Sequence, residues 1–353
     1  MSKFFSDKYR DLKAYTPGEQ PKDMKYVKLN TNESPFPPPQ SVISAVCDAA
    51  GSLQLYSDPE CTNLVSAFAS LCGVSENQVI MTNGSDEVIN FAFMAFSDAS
   101  HPIVFPDITY GFYKVFARLN GIPYEEIPLK SDFTVDPEDY CGINKNIIIA
   151  NPNAPTGIAL TLSDIEKIVK SNPLNVVVID EAYVDFGAES AVSLIEKYDN
   201  LLVTGTFSKS RSLAGGRLGF GIGSAELIRD LNTIRYSTNP YNVNRMTMAA
   251  GVAAIADNLY FMDNCKTIIE NREWTKNKLL SLGFELTDSK ANFVFAKSSA
   301  VSGEELYKKL KDRGVLVRHF NGERIKEYCR ITIGTRKEME RLVSEIEDIL
   351  KEK

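Results

Sequence analysis

A chain of 353 residues with 44% hydrophobic and 24% charged side chains has the composition of a globular protein with room for a large core and a second, smaller unit, which excludes disorder as the default. Its net charge of −7 leaves no basic footprint for nucleic acid, so an anionic ligand must be held by a local group of arginines against the overall field. No apolar run reaches the roughly 20 uncharged residues that span a bilayer, and the N-terminal MSKFFSDKYRDLK lacks a secretory apolar region; no membrane contact is expected and the expected location is cytoplasmic.

The first forty residues carry TPGEQP and SPFPPPQ, which form neither regular helix nor inner strand, so residues 1–40 are read as an extended arm lying across the rest. Between about residue 79 and residue 223, the β-rich runs QVIMT, PIVFP, PYEEIPL, NIIIANP, VVVIDE, LLVTGTF and GFGIG alternate with helix-like stretches. That alternation predicts an α/β unit, a mostly parallel sheet with helices on both faces, assigned to residues 41–245. SDEVINFAFMAFSD and TLSDIEKIVKS fit helices, the second opening with Thr161, Ser163 and Asp164 as capping residues. After Pro240 long helical stretches give way to ANFVFAK, a helix, GVLVRHF, YCRITIG and a final charged helix, which predicts a smaller α+β domain over 246–353. Six scattered cysteines without a CxxC pair and two histidines, His101 and His319, argue against a disulfide framework and against a metal site.

Sites in open α/β sheets form at the carboxyl ends of strands. VVVID ends in Asp180, LLVTGTF runs into Ser208 and Lys209, and QVIMT runs into Asn83-Gly84-Ser85-Asp86 at a helix start. Taken alone, Lys209 reads as a surface lysine. Its setting changes the reading, because Ser208 precedes it and SLAGGRLGF, with Arg217, follows; one segment then offers the amine, hydroxyls and cation that pyridoxal phosphate needs for its aldehyde and its phosphate. An isolated Asp180 reads as a helix cap, but as an anion beside a pyridine nitrogen it would keep that nitrogen protonated. Tyr183, three residues on, is placed to hydrogen-bond a ring hydroxyl. Gly84-Ser85-Asp86 makes a tight turn and then exposes N–H groups suited to a phosphate, although the same letters also make an ordinary capped helix. Tyr110 follows another strand end and can stack on a flat ring, where otherwise it would be core.

The order TNGSDEV, DITYGFY, NPNAPTG, VIDEAYVDF, TFSKSRSLAGGRLGF and YCRITIG resembles the fold-type I pyridoxal-phosphate (PLP) aminotransferases from end to end. LNTNESPFPPP, LYSDPECTNL and VLVRHF with CRITIGT are similar to the histidinol-phosphate aminotransferases among them. The resemblance implies a large PLP-binding domain with a mostly parallel sheet plus a smaller α+β domain, and an arm that contributes to the small domain and to a homodimer. It implies Lys209 as the Schiff-base lysine and proton-moving base, Asp180 on the pyridinium and Tyr183 on the ring hydroxyl. Thr206, Ser208, Arg217 and the Gly84, Ser85 and Asp86 backbone would hold the phosphate, with Tyr110 on the ring. Tyr56 matches a tyrosine inserted into the neighbouring subunit's phosphate site, which makes the active sites composite. Tyr15, Arg318 and Arg330 match the groups that take the substrate anion, with Asn32 near them.

Two arginines suit a site that must accept first a phosphate monoester and then carboxylates, since guanidinium forks bind both. On its own, Arg330 between Cys329 and Ile331 reads equally as half of a surface ion pair. The sequence departs from the family's pattern at Ala154, where an asparagine often bonds the ring hydroxyl; either Asn153 takes that contact or Tyr183 carries it alone. Gly216 stands where a larger apolar residue is common, and AYTPG lacks the proline that often precedes the tyrosine. The implied reaction is transamination of L-histidinol phosphate with 2-oxoglutarate, giving imidazole-acetol phosphate and L-glutamate, in histidine biosynthesis. The alternatives are an aromatic or broad-range aminotransferase, and a threonine-phosphate decarboxylase on the same frame. A binding protein without activity predicts loss of a cofactor residue, yet Lys209, Asp180, Tyr183 and Arg217 are all kept.

Overall fold

Proline and glycine keep the start of the chain extended. In the structure, a computed structural model that describes residues 2–10 and 12–352, the arm holds a short 3-10 turn, Asp7–Tyr9, and from Leu12 carries no regular element up to β1 (Val27–Lys28). Met1 and Asp11 of the arm, and Lys353 at the far end of the sequence, lie outside the described residues. β1 pairs in parallel with Val315–Leu316, and Leu29 just beyond it is buried, so the arm is anchored near its C-terminal end. α1 (Gln40–Ala50) and α2 (Thr62–Cys72) follow, in a stretch for which the sequence reading named no element.

The seven β-rich runs form one sheet: β2 (Val79–Thr82), β3 (Ile103–Pro106), β4 (Tyr124–Ile127), β5 (Asn146–Ala150), β6 (Val177–Asp180), β7 (Leu201–Thr206) and β8 (Gly219–Gly223). Their order is β2-β8-β7-β6-β5-β3-β4, and only β8 runs against its neighbours, so the expectation of a mostly parallel sheet holds. Successive side chains point to opposite faces and both faces are covered, which explains why the inner runs are apolar almost throughout, while edge strand β4 carries Glu125 and Glu126. Ile147, Ile149, Val177 and Ile179 pack with α2 and with α5 (Leu162–Ser171) on one face. Ile148, Val178 and Leu202 pack with α3 (Ser85–Phe96), α4 (Phe112–Asn120) and α6 (Ala225–Thr238) on the other. Thr161 caps α5 in a box with Asp164, as the sequence indicated.

α7 (Arg245–Ala256) and α8 (Asn258–Ser281) lead to β9 (Phe284–Leu286), β10 (Phe293–Ser298), α9 (Gly303–Asp312), β11 (Val315–Leu316), β12 (Arg318–His319), β13 (Tyr328–Thr332) and α10 (Arg336–Lys351). β12, β13, β10 and β9 form an antiparallel sheet in that order. On β13, Cys329 and Ile331 enter the core shared with α8, α9 and α10. Alternation then turns Arg330 and Thr332 to the opposite face, which looks back at the large sheet. Among the described residues no helix is long and apolar enough to cross a membrane.

Candidate active site

The carboxyl ends of β6 and β7 lie side by side, with Asp180 paired to Thr204 across the ladder. Around them is a cavity of about 140 Å³ lined by Ser85, Asp86, Tyr110, Asp180, Tyr183, Thr206, Ser208, Lys209 and Arg217, among others. A second cavity of about 390 Å³ shares Tyr110, Ala154, Tyr183 and Lys209 with the first and extends to the arm and to β12 and β13. The two form an inner and an outer chamber of one site.

The inner chamber ends at the N-terminus of α3, where unpaired N–H groups and the helix dipole favour an anion. Gly84 there has φ of +82°, and a Cβ on it would lie 2.6 Å from Arg217 Nη2. A Cβ on Gly219 would lie 2.3 Å from the Ser85 nitrogen. Glycine at both positions therefore lets the Arg217 guanidinium and the start of α3 close on the same small space. Thr206 Oγ1 donates to Ser208 Oγ at 2.9 Å, and Arg217 reaches Ser208 Oγ at 3.4 Å and the Asp86 carboxylate at 3.4 Å. Two hydroxyls, a guanidinium and a helix start make a cradle of phosphate size and charge.

At the opposite end Asp180 is 4% exposed. It accepts hydrogen bonds from Tyr113 Oη at 2.7 Å and from the Ala182 nitrogen at 3.2 Å. Burial pushes its carboxyl up to about 6, against the pull of those two hydrogen bonds. Burial, and then the carboxylate itself, hold the Tyr113 phenol far above its ordinary range, so it acts as a donor. Among the described residues no cation forms an ion pair with Asp180, and such a buried carboxylate suits a ligand that brings a protonated nitrogen. Tyr110 Oη donates to Asp86 at 2.8 Å, which fixes its ring in the wall of both chambers.

Between these ends lie Lys209 and Tyr183. Lys209 Nζ donates to the Thr31 carbonyl at 3.2 Å and stands 5.8 Å from the centre of the Tyr183 ring. Tyr183 Oη accepts from Asn32 Nδ2 at 3.0 Å. Asn32 is in turn braced by Thr332, whose hydroxyl accepts from the Asn32 nitrogen at 3.0 Å and donates to its Oδ1 at 2.9 Å. Asn32 thus sets the phenol of Tyr183, and the arm closes one side of the site.

Arg318 and Arg330 are direct partners across the β12–β13 ladder and both line the outer chamber. Arg318 donates to the carbonyls of Thr16 at 3.2 Å and Pro17 at 3.3 Å. Arg330 donates to the Asn30 carbonyl at 3.0 Å and lies over the rings of Phe293 and Phe320. Burial lowers the Arg330 pKa, but a guanidinium stays charged in proteins. Neither arginine has a carboxylate partner among the described residues, so the surface ion-pair reading of Arg330 is replaced by that of a cation facing a chamber.

Residues 24–346 match the family model described as aminotransferase class I and II. The chain belongs to the class I and II aminotransferases. A histidinol-phosphate aminotransferase of Brachyspira hyodysenteriae is 50% identical over 353 residues, covering 99% of this chain and 100% of that one. That of Clostridium acetobutylicum is 47% identical over 351 residues, with 99% and 100% covered. Among solved structures, the histidinol-phosphate aminotransferase of Sinorhizobium meliloti in complex with pyridoxal-5′-phosphate superposes with a TM-score of 0.86 at 25% identity, covering 93% of this chain and 92% of that one.

One expected residue of this aminotransferase lies elsewhere. Asn153 does not face the chambers: its amide donates to the Ile108 carbonyl at 2.9 Å and to Thr156 Oγ1 at 3.1 Å, and accepts from Thr109 Oγ1 at 2.7 Å. It ties two loops together, and Ala154 lines the chambers in its place, so Asn153 does not take over the ring-hydroxyl contact. Tyr56 is 78% exposed and stacks on Tyr241 at 4.5 Å, outside the cavities of its own chain. Conversely, Tyr113, Phe320 and the Thr31 carbonyl belong to the site and were not read from the sequence. For Tyr113 the signal was its spacing of three from Tyr110 in YGFY, which brings both rings to one side of the start of α4.

Proposed function

We propose that this aminotransferase uses pyridoxal 5′-phosphate to transfer the amino group of L-histidinol phosphate to 2-oxoglutarate, giving imidazole-acetol phosphate and L-glutamate in histidine biosynthesis. The observation that carries this reading is the register pair Arg318 and Arg330, two guanidinium groups without carboxylate partners among the described residues, at the mouth of a chamber that also holds Lys209. The names of the relatives that are 50% and 47% identical over nearly the whole chain support the same donor.

When bound, the cofactor supplies a carbonyl carbon that exchanges with the substrate amine and a ring that takes up the electron pair released at the substrate α-carbon. Lys209 holds the cofactor through its amine and, once freed, moves the proton at the substrate α-carbon. Asp180, steadied by Tyr113, keeps the ring nitrogen protonated. Because Asn32 donates to Tyr183 Oη, the phenol proton of Tyr183 is left to donate to the ring oxygen, and with Ala154 apolar Tyr183 carries that contact alone. Tyr110 covers the ring face. The Gly84, Ser85 and Asp86 backbone, Thr206, Ser208 and Arg217 hold the phosphate. Arg318, Arg330 and Tyr15 orient the substrate anion and keep it from solvent, and the order of these groups exposes one substrate carbon to Lys209.

The proposal includes a cytoplasmic homodimer in which Tyr56, lying outside its own cavities, completes the partner's phosphate site. It also includes a division of the chain into an arm over 1–40, a large domain over 41–245 and a small domain over 246–353. The test mixes the PLP-loaded protein with L-histidinol phosphate, L-phenylalanine or L-threonine phosphate in single turnovers, following the visible cofactor absorbance. Rapid conversion with the first alone is the expected result. Equal conversion with phenylalanine would make it a broad-range aminotransferase, and carbon dioxide from threonine phosphate a decarboxylase. A fully active monomer by sedimentation would overturn the role of Tyr56.

A further inference from the structure

The arm is tied to α9 by the Glu19 side chain and to β12 by main-chain carbonyls. Glu19 is held by Tyr307 and Lys311, its carbonyl accepts from Asn30 Nδ2 at 2.9 Å, and the carbonyls of Thr16 and Pro17 accept from Arg318 at 3.2 and 3.3 Å. None of these contacts orients the side chain of Tyr15, which is 38% exposed. Its ring is held from the other side of the site, by residues at the start of α4. Phe112 stacks on it with centroids 4.2 Å apart and planes 29° apart. The bare backbone of Gly111 lies below, where an added Cβ would already touch Tyr15 Cε2 at 3.6 Å.

The phenol that this seat positions is the one left for the substrate anion. Tyr110 gives its proton to Asp86 and the Tyr183 proton, with Asn32 donating to its Oη, is assigned to the cofactor ring oxygen, whereas Tyr15 Oη makes no hydrogen bond to a described residue. Arg318 and Arg330 are the cations whose field acts most on it. One guanidinium fork covers the two oxygens of a carboxylate, whereas a phosphate monoester presents three terminal oxygens with more lone pairs, so a donor beside the two arginines has a partner on the phosphate that the carboxylate lacks. An anion that recruits Arg318 also competes for the N–H groups now on Thr16 and Pro17, so the stack on Phe112 is the contact that still holds the Tyr15 ring during binding.

Resting on the donor proposed above, we propose that Phe112 is the positioning residue for Tyr15 and thereby sets the preference of the outer chamber for phosphate-bearing over carboxylate-bearing amino donors. Loss of the seat leaves Tyr15 free to rotate away, and the third phosphate oxygen is left to water.

The experiment is a double-mutant cycle on the PLP-loaded protein with Phe112→Ala, Tyr15→Phe and both together, with Phe112→Leu standing in if the alanine variant does not fold. For each, KM and kcat are measured with L-histidinol phosphate and with L-glutamate. Each single change is expected to raise KM for the phosphate donor about tenfold, the worth of one hydrogen bond to a charged group. With Phe112→Ala, KM for glutamate should stay within about twofold and kcat should hold, since Phe112 touches Tyr15 rather than the substrate and the seat acts on ground-state binding. The double variant should be no worse than Tyr15→Phe alone, and Phe112→Tyr, which keeps a flat ring, should restore the wild-type KM. Additive losses, an equal loss with glutamate, or no loss at all would each overturn the proposal. If the wild-type protein does not use L-histidinol phosphate, the donor reading fails instead. The seat is then read with inorganic phosphate as a competitive inhibitor of glutamate, whose inhibition constant should rise about tenfold in both single variants and no further in the double.

Discussion

Tyr113→Phe removes one oxygen from the molecule, and the structure says what that oxygen does. The phenol is fully buried behind Asp180 and gives the shorter of the carboxylate's two hydrogen bonds, at 2.7 Å. No water-accessible group stands ready to replace it, because Asp180 is itself 4% exposed. A hydrogen bond to a charged group is worth about 1.5–3 kcal/mol, so the ionised form of Asp180 loses that much relative to the protonated form. Its carboxyl, already pushed up to about 6 by burial, rises further. Since the ring nitrogen of the cofactor is held by the carboxylate and not by the acid, and a rise of about one to two pH units leaves about half to a twentieth of Asp180 ionised at pH 7, PLP affinity and the single-turnover rate should each fall about twofold to fifteenfold there. Both should recover partly as pH is raised and Asp180 ionises again, so the variant's pH profile for PLP binding is displaced to higher pH relative to wild type. The assay is titration of apoprotein with PLP, followed by absorbance, from pH 6 to pH 9, with thermal melts as a control for folding. Unchanged affinity with an unchanged pH profile would refute the assignment of Tyr113 as the residue that positions Asp180.

Three further changes separate the parts of the site. Glu181, beside Asp180, is buried with Ala191 N and Ser190 Oγ as its donors, and burial pushes its carboxyl up from 4.5 to about 8. The folded state therefore binds its proton more tightly than the unfolded state, and the stability this brings is full below about pH 4.5 and lost as pH rises through about 8, by roughly 5 kcal/mol at about 1.36 kcal/mol per pH unit. Glu181→Gln still accepts from Ala191 N and turns the other bond round, its amide donating to Ser190 Oγ, so urea unfolding of the variant should resemble wild type at pH 5 and exceed it at pH 9; parallel curves would falsify the shift. Arg330→Lys loses the planar fork and should raise KM for the phosphate donor by about thirtyfold, on the order of 2 kcal/mol, more than Arg318→Lys, because to meet the anion Arg318 must leave two arm carbonyls, of Thr16 and Pro17, where Arg330 leaves one, of Asn30. Lys209→Ala should abolish the visible band of the bound cofactor while the phosphate cradle still retains PLP on gel filtration, with single-turnover conversion down by at least about 10³-fold; retention of the band would remove Lys209 from its assigned place.

What could be read from the letters follows from which interactions are local. The strands of the large sheet are buried on both faces, so NIIIA and VVID announce themselves as continuous apolar runs, and the polar residues that interrupt them at their carboxyl ends, Asp180 and the segment Ser208-Lys209, stand out for that reason. The start of α3 at Gly84 is a local matter of turn and cap, legible for the same reason. Tyr113 is different. A tyrosine on the inner face of an amphipathic helix has the spacing of a core residue, and it is one; only the fold shows that the polar atom at its tip meets a carboxylate from a strand 67 residues on. Asn153 fails in the reverse direction, because its amide is claimed by the Ile108–Thr109 loop, and no local pattern tells which of two adjacent residues in NPNAPTG turns its side chain inward.

The arginine pair shows most plainly where sequence reasoning stops. Arg318 and Arg330 are twelve positions apart, and a slip of one residue in the β12–β13 register would send Arg330 into the core among Cys329 and Ile331 or leave it facing nothing. Their convergence depends on β13 being locked by Thr332, which reaches across to the arm at Asn32, so the same residue that fixes the register of the anion site also braces the asparagine that sets Tyr183. The arm therefore does more than cover the site. By supplying Asn32, the Thr31 carbonyl to Lys209 and the carbonyls that Arg318 occupies before an anion arrives, it couples the placement of the cofactor-facing groups to that of the substrate-facing ones, and a change at the arm should be felt at both ends of the reaction.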